Sequence, residues 1–122
     1  AMNLAVIYGA FADQVEIQSF RLIGGAAKAR MWQQMLADVT GREIVIPNHL
    51  EEATSMGAAI TAGVGVGVFP DFTVVDRFVQ SSTVVRPHLE NTEKYRELLP
   101  IFQDSYRALE SIYERLSDLE RR

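Results

Sequence analysis

The sequence holds no cysteine among its 122 residues, which removes disulfide scaffolds and thiolate metal sites together. It has one tryptophan, four prolines and two histidines, so proline-rich linkers and histidine-dense metal tracts are excluded as well. Basic residues number 12 against 16 acidic, for a net charge of -4, and lysine and arginine gather in no block along the chain. Nucleic acid is therefore not an expected partner. The longest uncharged stretch near the middle, Met56 to Phe69, is broken by glycine and falls short of the roughly 20 residues that span a bilayer. No membrane segment is expected, and without a basic-then-apolar leader the expected compartment is the cytoplasm.

What is there is a chain 48% hydrophobic and 23% charged, ordinary for one soluble globular domain. Leu4, Ile7, Tyr8, Phe11 and Val15 recur at steps of mostly three and four, which predicts a short amphipathic helix interrupted at Asp13 and Gln14. Ser19 to Ile23 is β-prone and runs into Gly24-Gly25, so a buried strand is expected there. From Ala27 to Val39 the residues Met31, Trp32, Met35, Leu36 and Val39 keep helical spacing, with Thr40-Gly41 as the stop. A second β-branched run, Glu43 to Ile46, ends at Pro47-Asn48, and strand, helix and strand joined this closely imply parallel pairing.

A further helix is expected from Glu51 to about Val64, with Ala53, Gly57, Ala58 and Ala62 forming a face almost without side-chain bulk. Residues 70–91 read as an irregular surface connection with Asp71 and Asp76 as turn formers. The stripe through Tyr95, Leu98, Leu99, Phe102, Tyr106, Leu109, Ile112, Tyr113, Leu116 and Leu119 predicts a C-terminal helix over 92–119, bent or restarted at Pro100.

The chemistry-bearing pattern is Gly24-Gly25-Ala26-Ala27-Lys28 between strand and helix. Small residues there let a ligand approach the backbone, and a helix N-terminus offers N–H groups without partners in the helix. The same pattern also serves plain chain reversal, and it has neither the Walker nor the Rossmann glycine spacing. Lys28 is expected as a solvated side chain. Glu51 and Glu52 fit a helix start, where negative charge is favoured, better than a catalytic acid pair. His49 and His88 each lie in a proline-containing loop and are expected at the surface, with no metal-ligand set around either.

Taken jointly, Arg21-Leu22-Ile23-Gly24-Gly25-Ala26-Ala27-Lys28, Trp32 through Gly41, and then Glu52-Ala53 and Gly57-Ala58-Ala59 resemble the C-terminal domain of FGGY-family carbohydrate kinases, xylulokinases most of all. The resemblance is strong over roughly Ser19 to Phe69 and weak over Tyr95 to Leu116. It implies an α/β fold: a truncated RNase H-like (actin-like ATPase) domain over 1–122, with a minimal parallel sheet, a motif-bearing core at 19–69 and a C-terminal helix.

By the same resemblance the cofactor is Mg-ATP, with Gly24, Gly25 and Ala26 lying against the nucleotide and Ala29 beside the base. Many relatives carry a third glycine where this chain has Ala26, and a Ser or Asn where it has Ala29, so weakened or lost ATP affinity is expected. The bare face at Gly57 is implied to meet a helix of the other kinase domain at the hinge. The catalytic aspartate, the first phosphate loop and the sugar pocket are implied to lie in an N-terminal domain that this sequence does not contain. The expected function is thus the nucleotide-binding part of an ATP-dependent sugar kinase, inactive as an isolated chain. The missing N-terminal kinase domain is the partner that this reading implies; the contrasting expectation is a non-catalytic interaction module that forms a homo-oligomer or docks onto another protein without binding ATP. Its basis is the bare helix face, the open strand edge and the aromatic stripe.

Overall fold

The computed structural model describes residues 1–12 and 14–121. The elements in chain order are α1 (Met2–Ala12), β1 (Ser19–Arg21), a 3-10 turn (Gly25–Lys28), α2 (Arg30–Thr40), β2 (Glu43–Pro47) and α3 (Ala53–Gly65). A short 3-10 turn (Phe72–Val74), α4 (Val75–Phe78), β3 (Ser81–Val85) and the long α5 (Leu89–Glu120) complete the chain. Of the interruption expected at Asp13 and Gln14, Asp13 lies outside the described residues; α1 ends at Ala12, and Gln14 and Val15 follow it in a turn, their N–H groups donating to the Phe11 carbonyl.

Sheet order is β1-β2-β3. β1 and β2 pair in parallel, Phe20 opposite Ile44, as the short strand-helix-strand connections imply. β2 and β3 pair antiparallel, Val85 opposite Ile44 and Thr83 opposite Ile46. The sheet is thus mixed, and part of the stretch read as irregular connection is a strand. The register slips between Ile46 and Pro47, where proline has no N–H to give the ladder, and Asn48 restores the pairing through its N–H to the Gln80 carbonyl at 2.9 Å.

α2 lies across one face of the sheet because its inward residues match the strand spacing. Leu36 and Ala37 pack on Ala27, Ile44 and Ile46 to form the core, and Gly41, at φ 63°, closes the helix by donating its N–H to the Ala37 carbonyl at 2.9 Å. The expected buried strand β1 is instead an edge, with Ser19 and Arg21 exposed and Phe20 turned inward. Among the described residues it has a neighbour on one side only, so its second ladder edge stays open. α1 is tied to that edge by Tyr8, whose ring meets Phe20 edge-on at 5.4 Å while its hydroxyl accepts from Arg42 Nε at 2.7 Å. Leu4 packs on the core, but Ile7 and Phe11, expected on the same buried face, remain exposed.

α5 runs unbroken through Pro100, for which a bend or restart was expected. Pro100 is exposed, so the carbonyl one turn earlier that loses its N–H partner can turn to water. At about 1.5 Å per residue the 32-residue helix extends well past the small core, and only its first part, around Thr92, is buried. Among the described residues no helix is long and apolar enough to cross a membrane.

Candidate nucleotide-side site

The turn after β1 is built by backbone angles that side chains resist. Gly24 adopts φ 75° and ψ -163°, a region essentially restricted to glycine. It is followed by the 3-10 turn of Gly25–Lys28, closed by Ala27 N–H to the Gly24 carbonyl at 3.1 Å. Gly24 and Gly25 are exposed, and a Cβ on either would meet nothing within 4 Å. Space against the backbone is therefore open on the outer side of the turn, while the buried Ala27 fixes its inner side.

The helix expected to begin at Ala27 starts later. Ala29 is extended, at φ -97° and ψ 106°, and occupies the N-cap position of α2 without a side-chain hydrogen bond to the helix. Gln33 ties the two segments together, its backbone N–H donating to the Ala29 carbonyl at 3.0 Å and its side-chain amide to the Ala27 carbonyl. Serine at 29 would accept a hydrogen bond from the first turn, so Ala29→Ser is expected to stabilise the chain by about 1 kcal/mol. A rise in the urea midpoint at unchanged slope checks this; no rise would mean that the first-turn N–H groups are already satisfied.

Gly24, Gly25, Ala26 and Ala29 all fall on this one turn at the carboxyl end of β1. The second motif lies next to it, at the carboxyl end of β2, where Glu52 precedes α3. Lys28 is exposed, as expected of a solvated side chain, and it also pairs with Glu51 and so joins the two motifs. Its hydrogen bond and positive charge hold the Glu51 carboxyl below the usual range. His49 and His88 are exposed as expected. Among the described residues no three histidine or carboxylate side chains converge in a metal-binding cluster.

Between strand ends and α3 lies an apolar depression of about 110 Å³, lined by Arg21, Ile23, Pro47, Asn48, Met56 and Gly57 among others. Small-molecule pockets ordinarily run from about 300 Å³ upward, so this chain supplies one wall of a site rather than an enclosed one. On the other side of the turn a second, polar depression of about 330 Å³ is lined by Lys28, Arg30, Gln33, Gln34, Thr83 and Val85. Of α3 only Ile60 is buried, and a Cβ on Gly57 would touch nothing within 4 Å. Ordinary packing within this chain does not account for the bare face.

One structural feature was missed in sequence. Asp38, buried on α2 with 3% of its surface exposed, receives the His88 backbone N–H at 2.7 Å, the Asn91 amide at 2.8 Å and the Gln34 amide at 2.8 Å. Burial pushes its pKa up, but these hydrogen bonds and the nearby His88 outweigh burial and hold the carboxyl below its ordinary value of 3.8. A carboxylate from α2 thereby caps the N-terminus of α5, where the helix dipole favours negative charge. The available sequence signal is a lone acid among the inward residues of a helix.

Comparison with known proteins agrees with this architecture. Residues 1–66 match the model of the FGGY family of carbohydrate kinases, C-terminal domain. A gluconokinase of Bacillus licheniformis is 30% identical over 98% of this chain and 23% of its own length. An autoinducer-2 kinase of Salmonella paratyphi A is 38% identical over 87% of this chain and 20% of its own. In fold, the chain superposes on the xylulose kinase of Lactobacillus acidophilus with a TM-score of 0.82 at 20% identity, covering 94% of this chain and 24% of that one. The chain thus spans a quarter or less of the length of these relatives. With the family model matched over more than half of its residues, including both motif-bearing turns, the chain belongs to the FGGY family of carbohydrate kinases, as part of its C-terminal domain.

Proposed function

We propose that this chain forms the nucleotide side of an ATP-dependent sugar-kinase cleft. The observation that carries the reading is the Gly24-Gly25 turn: glycine-only backbone geometry with open space above it, at a strand end and just before a helix, in a chain of a carbohydrate-kinase family. In this reading Gly24, Gly25 and Ala26 lie against the adenosine, and α2 walls the base from Ala29 onward. Mg²⁺ would enter with the triphosphate, whose charge it neutralises for transfer to a sugar hydroxyl. The exposed backbone of the turn fits a nucleotide's flat, polar edge. Only one wall is provided, so affinity for Mg-ATP is low in the isolated chain.

The exposed face of α3 around Gly57 would then meet the remainder of a kinase, which would contribute the base and the sugar pocket. The isolated chain is expected to be inactive. Xylulose is the acceptor suggested by sequence resemblance, while relatives are named for gluconate and autoinducer-2. Assay of all three acceptors with this chain joined to a kinase N-terminal portion would choose among them.

The direct test is an amide NMR titration of the labelled chain with Mg-ATP, with Gly25→Trp as the blocked form. Saturable shifts confined to Gly24 through Trp32, lost in a folded Gly25→Trp variant, are expected. Extension of the shifts to Met56 and Gly57 would put the ligand on the apolar side, and extension to Gln33 and Thr83 on the polar side. A folded spectrum indifferent to Mg-ATP at millimolar concentration would overturn the proposal.

A further inference from the structure

α5 carries an apolar stripe that this chain leaves uncovered. Tyr95, Leu99, Phe102, Tyr106, Leu109, Tyr113 and Leu116 follow one another at alternating steps of four and three, the 3.5-residue period of a helix-helix seam, and Leu98, Ile112 and Leu119 widen it on one flank. The opposite face is polar, with Arg107, Ser111, Glu114 and Asp118. α2 and α1 pack against α5, and α1 flanks it as far as Phe102 to Arg107. Apart from the half-buried Leu99, the stripe residues from Leu98 to Leu119 stand 37 to 65% exposed.

The geometry points to a second copy of this chain as what covers the stripe, in an antiparallel pairing of the two α5 helices. The pattern is self-complementary in that direction. Setting Tyr106 opposite the second copy's Leu109 also sets Phe102 opposite Tyr113, Leu99 opposite Leu116 and, on the flank, Leu98 opposite Leu119, so most of the large apolar residues find an apolar one, while Ile112 faces Ser105. Glu110 then faces the uncharged Gln103 on the flank, and no like charges oppose each other there. The same register carries the end of the second helix toward the groove between α1 and α5, an opening of about 330 Å³ lined by Val6, Phe102 and Tyr106. A parallel pairing would instead force the two cores, both attached near the start of α5, into the same space.

Area favours this as well. Eight or more large side chains about half exposed present an apolar surface of the order of the ~800 Å² that each partner contributes to a standard interface. It exceeds the roughly 300–600 Å² patch usual on a monomer. The inference does not rest on nucleotide binding.

The test is the mass of the full chain in solution over a wide concentration range, by sedimentation equilibrium. The wild type is expected to rise toward twice the monomer mass, Leu109→Glu to stay monomeric with an unchanged circular dichroism spectrum, and Ser111→Glu, on the polar face, to behave as wild type. Direction is read by cross-linking, because the chain has no cysteine of its own. Leu98 and Leu119 are about 31 Å apart along one helix, too far for a disulfide within a copy. A Leu98→Cys, Leu119→Cys double variant should therefore link two copies, and neither single variant should. Monomers at every concentration would overturn the proposal. So would efficient cross-linking of Leu98→Cys alone, or a stripe that becomes protected only when the remainder of a kinase is supplied.

Discussion

Replacing Asp38 by alanine is expected to destabilise the chain by about 3 kcal/mol, the range for removing one partner of a buried, hydrogen-bonded charge. The carboxylate takes three hydrogen bonds, from the His88 backbone and the side chains of Asn91 and Gln34. Its removal leaves those donors facing an apolar methyl. Gln34 also donates to the Arg86 carbonyl at 2.9 Å, so the connection between β3 and α5 loosens with the cap. At roughly 3–5 °C per kcal/mol for a chain of this size, the melting midpoint falls by about 10 °C.

Asp38→Asn separates charge from shape. The remaining amide oxygen still accepts from the His88 N–H and the Gln34 amide, but the new NH₂ faces the Asn91 amide donor, and a loss of about half as much is expected. Acid titration gives an independent readout. The folded-state pKa of Asp38 lies below its ordinary value, so its contribution is complete above about pH 4 and is lost as pH falls through the lower folded value. The wild type should therefore lose stability more steeply below pH 4 than Asp38→Asn does. Parallel acid limbs in the two proteins would assign the effect to packing alone.

The Asp38 cap shows where sequence reading stops. The helical spacing of Met31 to Val39 and of the α5 stripe identifies both helices, and Gly41 marks a real left-handed stop at φ 63°. No local signal tells that an acid on the first helix meets residues 50 positions later. β3 escaped for a different reason. Thr83-Val84-Val85 is a β-branched run, but only five residues long as a strand and placed between turn formers and Pro87, where a loop reads equally well.

The turn after β1 was more legible. The Gly24-Gly25 turn depends on backbone angles available to glycine, a requirement written directly in the sequence. What could not be read was that Ala29 stands outside both helical segments, because the boundary between the 3-10 turn and α2 is a matter of two dihedral angles. Whether a face is covered was equally illegible. Amphipathic spacing says that Phe11 and Tyr106 belong on apolar faces, but both remain exposed here, and only the packing of other elements decides that.

The uncovered faces bear on how the small core responds to damage, and Ile44→Ala is the sharpest probe of it. Ile44 is 1% exposed and is the largest fully buried side chain among the described residues. It sits at the centre of the sheet, opposite Phe20 on β1 and Val85 on β3, beneath Leu36 and Ala37 of α2. Truncation to alanine removes its contacts to three elements at once and leaves a cavity, for an expected loss of about 3–4 kcal/mol. With so few buried apolar side chains, total stability is expected near the low end of the ~5–15 kcal/mol usual for domains, so most of it goes with this one residue. Val45→Ala, one position along on the less buried face, should cost under about 1 kcal/mol. Urea unfolding of the two variants at a concentration where the chain is monomeric checks both values. If Ile44→Ala costs no more than Val45→Ala, the sheet is not the centre of cooperativity.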